Sequence, residues 1–447
     1  MRHDAGLITA FLDRWRPETH TFHLRFSEAT ITLQDVYYIL GLRSSGHPVS
    51  FTAGEIFDAS SIHEVLGVDP ETGVIVSNNI KIGWLVQEFG DYTRLEEATD
   101  PDYDDQLLFH IRAHLLLIIE SLFPNSSGNR ISLHLLPYVR DLDQIGTFSW
   151  GNVCLAYLYS RLCISSIGNV VELCGPMTLL QVWIYEHFSR LAPRHRGNYI
   201  MRHPRALRWM VPVEAVHVQR HSARGVRYKL DHMVESSFIW IPYVDCAPQA
   251  HDIPADELQL MSAPSPLIYI RVMEWCYTDR VTRQFGFLQR IPTASLHIGH
   301  HTFHGSISRW HLSMETVIEL WEHQHEGIIA APTYMPSRRP MSVDGYRTWY
   351  DRAEGLSNAY HEIQSSEVAA DDPIVDSALQ SMEVTLDDTG YHVLQEKCPH
   401  PPPTVPTGRR RPRTRGGSTS AAFPHPRTAP LDGYVPWGHA MASDGSA

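Results

Sequence analysis

Apolar residues recur at helical spacing along most of the chain. Leu107, Ile111, Leu115, Ile118 and Leu122 form one stripe, and Val153, Tyr157, Leu158 and Leu162 another. Leu179, Val182, Trp183 and Glu186 continue the pattern with a polar residue at its last position. Stripes of this period predict amphipathic helices packed on a common core. Near the start, Thr32 with Asp35 fits a capping box opening a helix through Val36, Ile39 and Leu40, and Gly41 stands where a left-handed glycine would stop it. The run Thr19-His20-Thr21-Phe22-His23-Leu24 alternates and is rich in β-formers, so a short strand or hairpin is expected there. Together these predict a mainly α fold: one large helical domain over residues 1–362 with a few short strands.

After residue 362 the pattern fades. Ser365 to Glu396 holds eight acidic and no basic residues, which predicts a solvated acidic linker over 363–398. Residues 399–447 are rich in Pro, Gly, Ser and Arg and are expected to be a disordered tail. Within the tail, Arg409, Arg410, Arg411, Arg413 and Arg415 read as a nuclear-import or nucleic-acid patch, against the plainer reading of a solvated charge run. Weak, salt-dependent nucleic-acid binding would follow from such a patch.

Charge narrows the function classes. The formal net charge of -13 excludes a body that grips nucleic acid over its whole surface. Only three lysines are present, Lys81, Lys229 and Lys397, so the positive charge is nearly all arginine, the residue of planar and bidentate contacts. Six cysteines, none in C-x-x-C spacing, and no apolar signal segment suggest free thiols in a reducing, intracellular setting. The longest helix candidate, Tyr103–Phe123, carries Arg112, two histidines and Glu120, so a membrane span is not expected.

Candidate chemistry is sparse. His297, His300, His301 and His304 form the best metal candidate, but their spacing fits no common zinc signature and Gly299 interrupts it, so a polar loop is the preferred reading. Cys154, Cys163 and Cys174 read as small buried hydrophobes. Asp141, Asp143 and Glu172 can be picked out as a transposase-like carboxylate triple, though any acidic chain offers such triples. Arg280 and Arg283 fall three apart with Gln284 beside them. They read either as phosphate or base contacts or as an internal arginine–carboxylate lattice, the second being favoured. No cofactor and no stoichiometric metal are expected.

Four ordered blocks carry a resemblance: Phe11–Leu42 with its Trp15-Arg16-Pro17-Glu18-Thr19-His20 core, Phe148–Cys163 with Trp150-Gly151, Asp279–Pro292 with Arg280 and Gln284-Phe285-Gly286, and Tyr346–Tyr360. In content, order and spacing they resemble the plant mobile domain family, whose members are also labelled maintenance-of-meristems-like, aminotransferase-like or phosphatase 7 long form homolog. The family usually carries further helical sequence before the first block, so the amino end here looks short. The motif residues are expected to be structural: Pro17 ends a helix, Arg16 and Glu18 can pair, and Trp15 anchors the turn with Phe22.

Neither activity label is supported by the residues. A pyridoxal-phosphate enzyme needs a lysine beside a glycine-rich phosphate cup, which neither Lys81 nor Lys229 has. A metallophosphatase needs Asp-x-His, Gly-Asp and Gly-Asn-His loops. Here Gly90-Asp91 stands alone and Gly197-Asn198 is followed by Tyr199. The resemblance implies a non-enzymatic nuclear interaction protein associated with transposon silencing, gene-expression control and meristem development, working with protein partners that include a phosphatase-like protein and without a membrane. The alternative is a transposon-encoded nucleic-acid-processing protein, or a remnant of one, with metal-dependent activity.

Overall fold

The computed structural model describes residues 3–382 except 51–55, 92–101, 125–128, 168–173, 195–202, 211–220, 245–252, 293–317, 325–340 and 366–376 and the single positions 254, 271, 320, 378 and 380. A division of the chain falls after Cys398. The tail arginines Arg409–Arg415 and the histidines His297–His304 lie outside the described residues. Those that are described form a mainly α fold with a few short strands in three small sheets.

Helix α1 (Ala5–Leu12) starts at Asp4, whose carboxylate accepts from the Leu7 amide at 3.1 Å, and it buries Leu7, Ile8, Ala10 and Phe11. A three-stranded antiparallel meander follows: β1 (Trp15–Arg16), β2 (Thr21–Leu24) and β3 (Ser27–Ala29), with Trp15 opposite Phe22 and Phe22 opposite Ala29. Every residue of β2 and β3 is buried, so the alternation of the sequence separates two packed faces, not a core face from a wet one. Helix α2 (Leu33–Leu40) opens as the capping box predicts. Asp35 accepts from the Thr32 amide at 2.7 Å and hydroxyl at 2.8 Å, and Gly41 ends the helix at φ 75°.

The next stretch adds to the same core. It holds β4 (Val49–Ser50), α3 (Ala59–Leu66), a sheet of β5 (Ile75–Val76), β6 (Asn79–Lys81) and β7 (Arg130–Ser132), and helices α4 (Ile82–Phe89), α5 (Tyr103–Leu122) and α6 (Leu136–Arg140). Helix α5 corrects the sequence reading. Its buried residues are Ala113, Leu116, Ile119 and Glu120, whereas Ile111 is 38% and Ile118 54% exposed, so the predicted stripe is turned partly to solvent. The run Leu115-Leu116-Leu117-Ile118-Ile119 is apolar on every side, and only the packing partners choose a face.

Helix α7 (Trp150–Ile167) is the pillar of the fold. Residues Val153 through Tyr159 are all buried, and α2, β1 and a later hairpin pack around them. Gly151 is needed where α7 begins: a Cβ there would meet the Arg43 carbonyl oxygen at 2.8 Å, and the Gly151 amide donates to that oxygen at 2.7 Å. Trp150 itself is half-buried, stacked near Phe123 with its indole N–H on the Ile145 carbonyl at 2.8 Å. Helix α8 (Met177–His187) is buried along almost its whole length, including Gln181, Glu186 and His187.

Helices α9 (Ala223–Asp231) and α10 (Ala255–Ser262) precede the hairpin β8 (Ser265–Ile270) and β9 (Val272–Cys276), to which β4 adds in parallel. A 3-10 segment, Thr278–Phe285, ends at Gly286 with φ 83°. Helix α11 (Tyr346–Ser365) closes the described part, and Leu379 and Met382 pack against its Ala353 and Tyr360. Among the described residues no helix is long and apolar enough to cross a membrane.

Candidate functional site

Trp150 and Gly151 stay at the start of α7 beside Phe123, Ile145 and Arg43, whereas the motif residues of the first, third and fourth blocks gather where the meander, the β9 strand, the 3-10 segment and α11 meet. Their polar groups are directed inward, so each must find a partner or be desolvated at a cost of about 1–3 kcal/mol. Arg280 and Glu28 meet as a fork. Nε donates to Oε2 at 2.9 Å and Nη2 to Oε1 at 2.7 Å, with both side chains fully buried. Gln284 acts as a piece of backbone: its amide nitrogen donates to the Thr30 carbonyl at 2.7 Å while its oxygen accepts from the Thr30 amide at 2.8 Å. One side chain thereby continues the hydrogen bonding of the chain beyond β3. Phe285 is buried beside it, and Gly286 supplies the left-handed turn that lets the chain leave.

Helix α11 is held to the same place. Tyr350 donates to the Leu24 carbonyl at 2.7 Å, Ser27 and Tyr346 hydroxyls lie 3.1 Å apart, and Ser357 donates to Glu18 at 2.8 Å. Arg16 reaches Asn358 at 2.5 Å. The first and last sequence blocks are thus joined through Arg16 and Glu18, which both reach α11. Pro17 and Thr19 are buried in the turn, with Thr19 Oγ1 2.7 Å from Thr21 Oγ1. Arg283 lies 3.8 Å over the Trp240 ring and pairs with Glu235. Burial pulls its guanidinium down to about 10.

Besides His23, 3.6 Å from Glu28, and His221, 2.8 Å from Asp4, two further imidazole–carboxylate pairs lie deep beside α7 and α8. In the first, His187 Nε2 is 3.2 Å from Asp35 Oδ1 and its Nδ1 is 2.7 Å from the Ile239 carbonyl. Tyr243 donates to the same Asp35 oxygen at 2.6 Å, and the other oxygen takes the two Thr32 bonds of the capping box. Beside it Glu186 accepts from Arg205 at 2.5 Å and Trp209 at 2.7 Å. In the second, His20 Nε2 is 3.1 Å from Glu274 Oε2 and Nδ1 is 2.8 Å from the Trp275 carbonyl. The Cys163 sulfur accepts from the Trp15 indole at 3.3 Å, and His20 Nε2, Cys163 Sγ and a Glu274 oxygen lie within 4.8 Å of one another.

Nearby, Asp279 is partly buried, its two carboxylate oxygens shut off from solvent without a geometrically sound hydrogen bond, and this desolvation pushes its carboxyl above the usual range.

Other sequence candidates stay apart. Lys81 and Lys229 are both exposed, far in kind from a desolvated Schiff-base lysine. Asp141 and Asp143 form a local turn, the Asp143 amide donating to Asp141 Oδ1 at 3.0 Å, and Glu172 lies outside the described residues. Cys154 is buried with its thiol pushed up, and burial lifts that of Cys276 to about 12, so neither is a ready nucleophile.

The sequence reading missed Glu28, Asp35 as a network centre, and Glu274. The signal for Glu274 was a lone carboxylate in the apolar strand run Val272-Met273-Glu274-Trp275-Cys276. A charge in such a strand is either an edge or a buried partner.

The plant mobile domain family profile matches residues 1–351. Among curated proteins of Arabidopsis thaliana, the chain is similar to a serine/threonine-protein phosphatase 7 long form homolog (32% identical, covering 78% of this chain and 27% of that protein). It is also similar to Protein MAIN-LIKE 2 (31%, 78% and 51%) and Protein MAINTENANCE OF MERISTEMS (32%, 64% and 58%). The chain therefore spans only part of the length of these relatives. No solved structure matches it. With the profile covering the meander, the α7 pillar and the Arg280–Gln284 segment that build the buried junction, the chain belongs to the plant mobile domain family.

Proposed function

We propose that this chain is a non-enzymatic protein-interaction module of the nucleus, acting in gene-expression control, transposon silencing and meristem development with protein partners that include a phosphatase-like protein. One observation carries the reading. The polar motif residues are consumed internally, Arg280 and Glu28 to full burial, while apolar side chains such as Ile111 and Ile118 of α5 are left at the surface. A site for turnover presents polar groups to a substrate; this chain spends them on joining its own segments and leaves Ile111 and Ile118, two turns apart on one side of α5, open to a partner. The names of the relatives, which include a meristem-maintenance protein and a phosphatase long form homolog, support the biological setting.

The test is affinity capture from plant nuclei with the wild-type chain, an Ile111→Asp/Ile118→Asp double variant and a tail variant lacking Arg409, Arg410, Arg411, Arg413 and Arg415. The expected result is a phosphatase-like protein captured by the wild type and lost from the double variant, with nuclear accumulation reduced in the tail variant. Metal-dependent cutting of DNA by the purified chain would overturn the proposal in favour of a nucleic-acid-processing protein.

A further inference from the structure

We propose that His20, Cys163 and Glu274 form a buried binding site for a zinc-class divalent metal ion. These residues come from three separate elements: the β1–β2 turn, helix α7 and strand β9. All three are buried, His20 at 2%, Cys163 at 3% and Glu274 at 6% exposure. An imidazole nitrogen, a thiol sulfur and a carboxylate within 4.8 Å of one another are a donor set that suits zinc and its borderline-soft neighbours, and not magnesium or calcium, which take oxygen ligands.

Hydrogen-bond direction supplies the first argument. The Trp275 carbonyl can only accept, so His20 Nδ1 carries a proton toward it at 2.8 Å. A neutral His20 then turns the lone pair of Nε2 onto Glu274 Oε2 at 3.1 Å, two acceptors face to face. Something positive must lie between them, either a second proton or a metal ion. Tetrahedral zinc with Zn–N and Zn–O of about 2.0–2.1 Å sets its nitrogen and oxygen ligands about 3.3 Å apart, close to the separation seen.

The remaining atoms separate the two choices. Glu274 Oε1 is buried with no hydrogen-bond partner, an acceptor that a metal held by both carboxylate oxygens would use and an imidazolium on Oε2 does not reach. The third donor atom, Cys163 Sγ, would have no part in a simple ion pair. It receives the Trp15 indole N–H at 3.3 Å. The Nδ1–carbonyl bond is likewise the outer contact that orients metal-bound imidazoles. Finally, His20 sits at φ 50°, a left-handed conformation of the kind that collects at functional positions and is held there by its surroundings. Burial of all three ligands means the ion would enter as the chain folds and would couple metal binding to stability.

The experiment uses the purified full chain. Metal content is measured after exhaustive dialysis, the metal-free protein is titrated with zinc while its melting is followed, and cobalt(II) is substituted to report thiolate ligation through its near-ultraviolet charge-transfer band. The expected result is one zinc per chain, a rise in the melting midpoint on adding zinc, and a cobalt–thiolate band. Cys163→Ala loses the band and Glu274→Gln loses most of the bound zinc, whereas Cys154→Ala, a buried control on the same helix, keeps both. Variants at His300 and His301 also keep the metal. A wild-type protein that holds no zinc, shows no melting response and gives no cobalt–thiolate band overturns the proposal and leaves His20 and Glu274 as an ion pair. Zinc retained undiminished in Cys163→Ala and Glu274→Gln overturns it as well, by placing the metal elsewhere.

Discussion

The Asp35–His187 pair and the Glu274–His20 pair share one local geometry, with a carboxylate on Nε2 and a backbone carbonyl on Nδ1. They differ in what completes them. Asp35 is also served by the Thr32 amide and hydroxyl and by Tyr243, so both its oxygens are occupied and the pair is finished within the protein. Glu274 keeps one buried oxygen without a partner, and a cysteine sulfur stands beside the imidazole. A saturated buried network fixes packing; an unsaturated one of metal-binding atoms points to a missing ligand.

The largest expected effect tests the frame that holds the unsaturated pair. Arg280→Ala takes the two-pronged partner from the fully buried Glu28 carboxylate, leaving His23 at 3.6 Å, and should cost about 3–5 kcal/mol in urea or thermal unfolding, the usual penalty for removing one partner of a buried ion pair. A loss below about 1 kcal/mol, the range of exposed pairs, would show that water reaches Glu28 and that the junction is open.

Breaking the saturated pair comes next. Asp35→Ala removes a capping box, leaves Tyr243 without its acceptor and takes the carboxylate from beside His187, for an expected loss of about 2–4 kcal/mol. The comparison sharpens when zinc is added: the melting midpoint of His187→Gln should still rise with zinc, and that of His20→Gln should not. Equal responses from the two variants would erase the distinction between the pairs.

Asp279 tests the electrostatics of the unsaturated side. Its folded-state carboxyl is raised above its unfolded value, so the folded protein binds the proton more tightly and stability falls as pH rises from the unfolded value through the folded one. Asp279→Asn should therefore raise the melting midpoint at neutral pH, with the gain shrinking as pH is lowered toward about 4, where unfolded aspartate also takes up its proton. A gain independent of pH would show that the carboxylate charge is not its source.

The smallest effect on stability belongs to the tail. Replacing Arg409, Arg410, Arg411, Arg413 and Arg415 by alanine should leave the melting midpoint unchanged, within about 0.5 kcal/mol, because surface changes away from packed features rarely exceed that. Nuclear accumulation, followed by microscopy of a tagged chain, should fall. Unchanged accumulation would remove the import role from these arginines.

What the sequence determined by itself is what depends on near neighbours. Capping at Thr32–Asp35, the stop at Gly41 and the short strand from Thr21 follow from residues within a few positions of one another, whose hydrogen bonds and allowed dihedrals are local. Family membership was legible for a related reason, since four ordered motif blocks are a linear property. The buried face of α5 was not legible, because a helix with apolar residues all round exposes whichever side its neighbours leave, here Ile111 and Ile118. Nor was the roster of the junction. Glu28 meets Arg280 across 252 positions, Ser357 meets Glu18 across 339, and His20 lies beside the Trp275 carbonyl across 255. The sequence gives no metal-ligand spacing for His20, Cys163 and Glu274, so it led to the expectation of a metal-free body. Only tertiary packing decided that β9 carries Glu274 to the turn after β1, because that contact is set by the docking of the hairpin on α7 and not by any local preference of the chain.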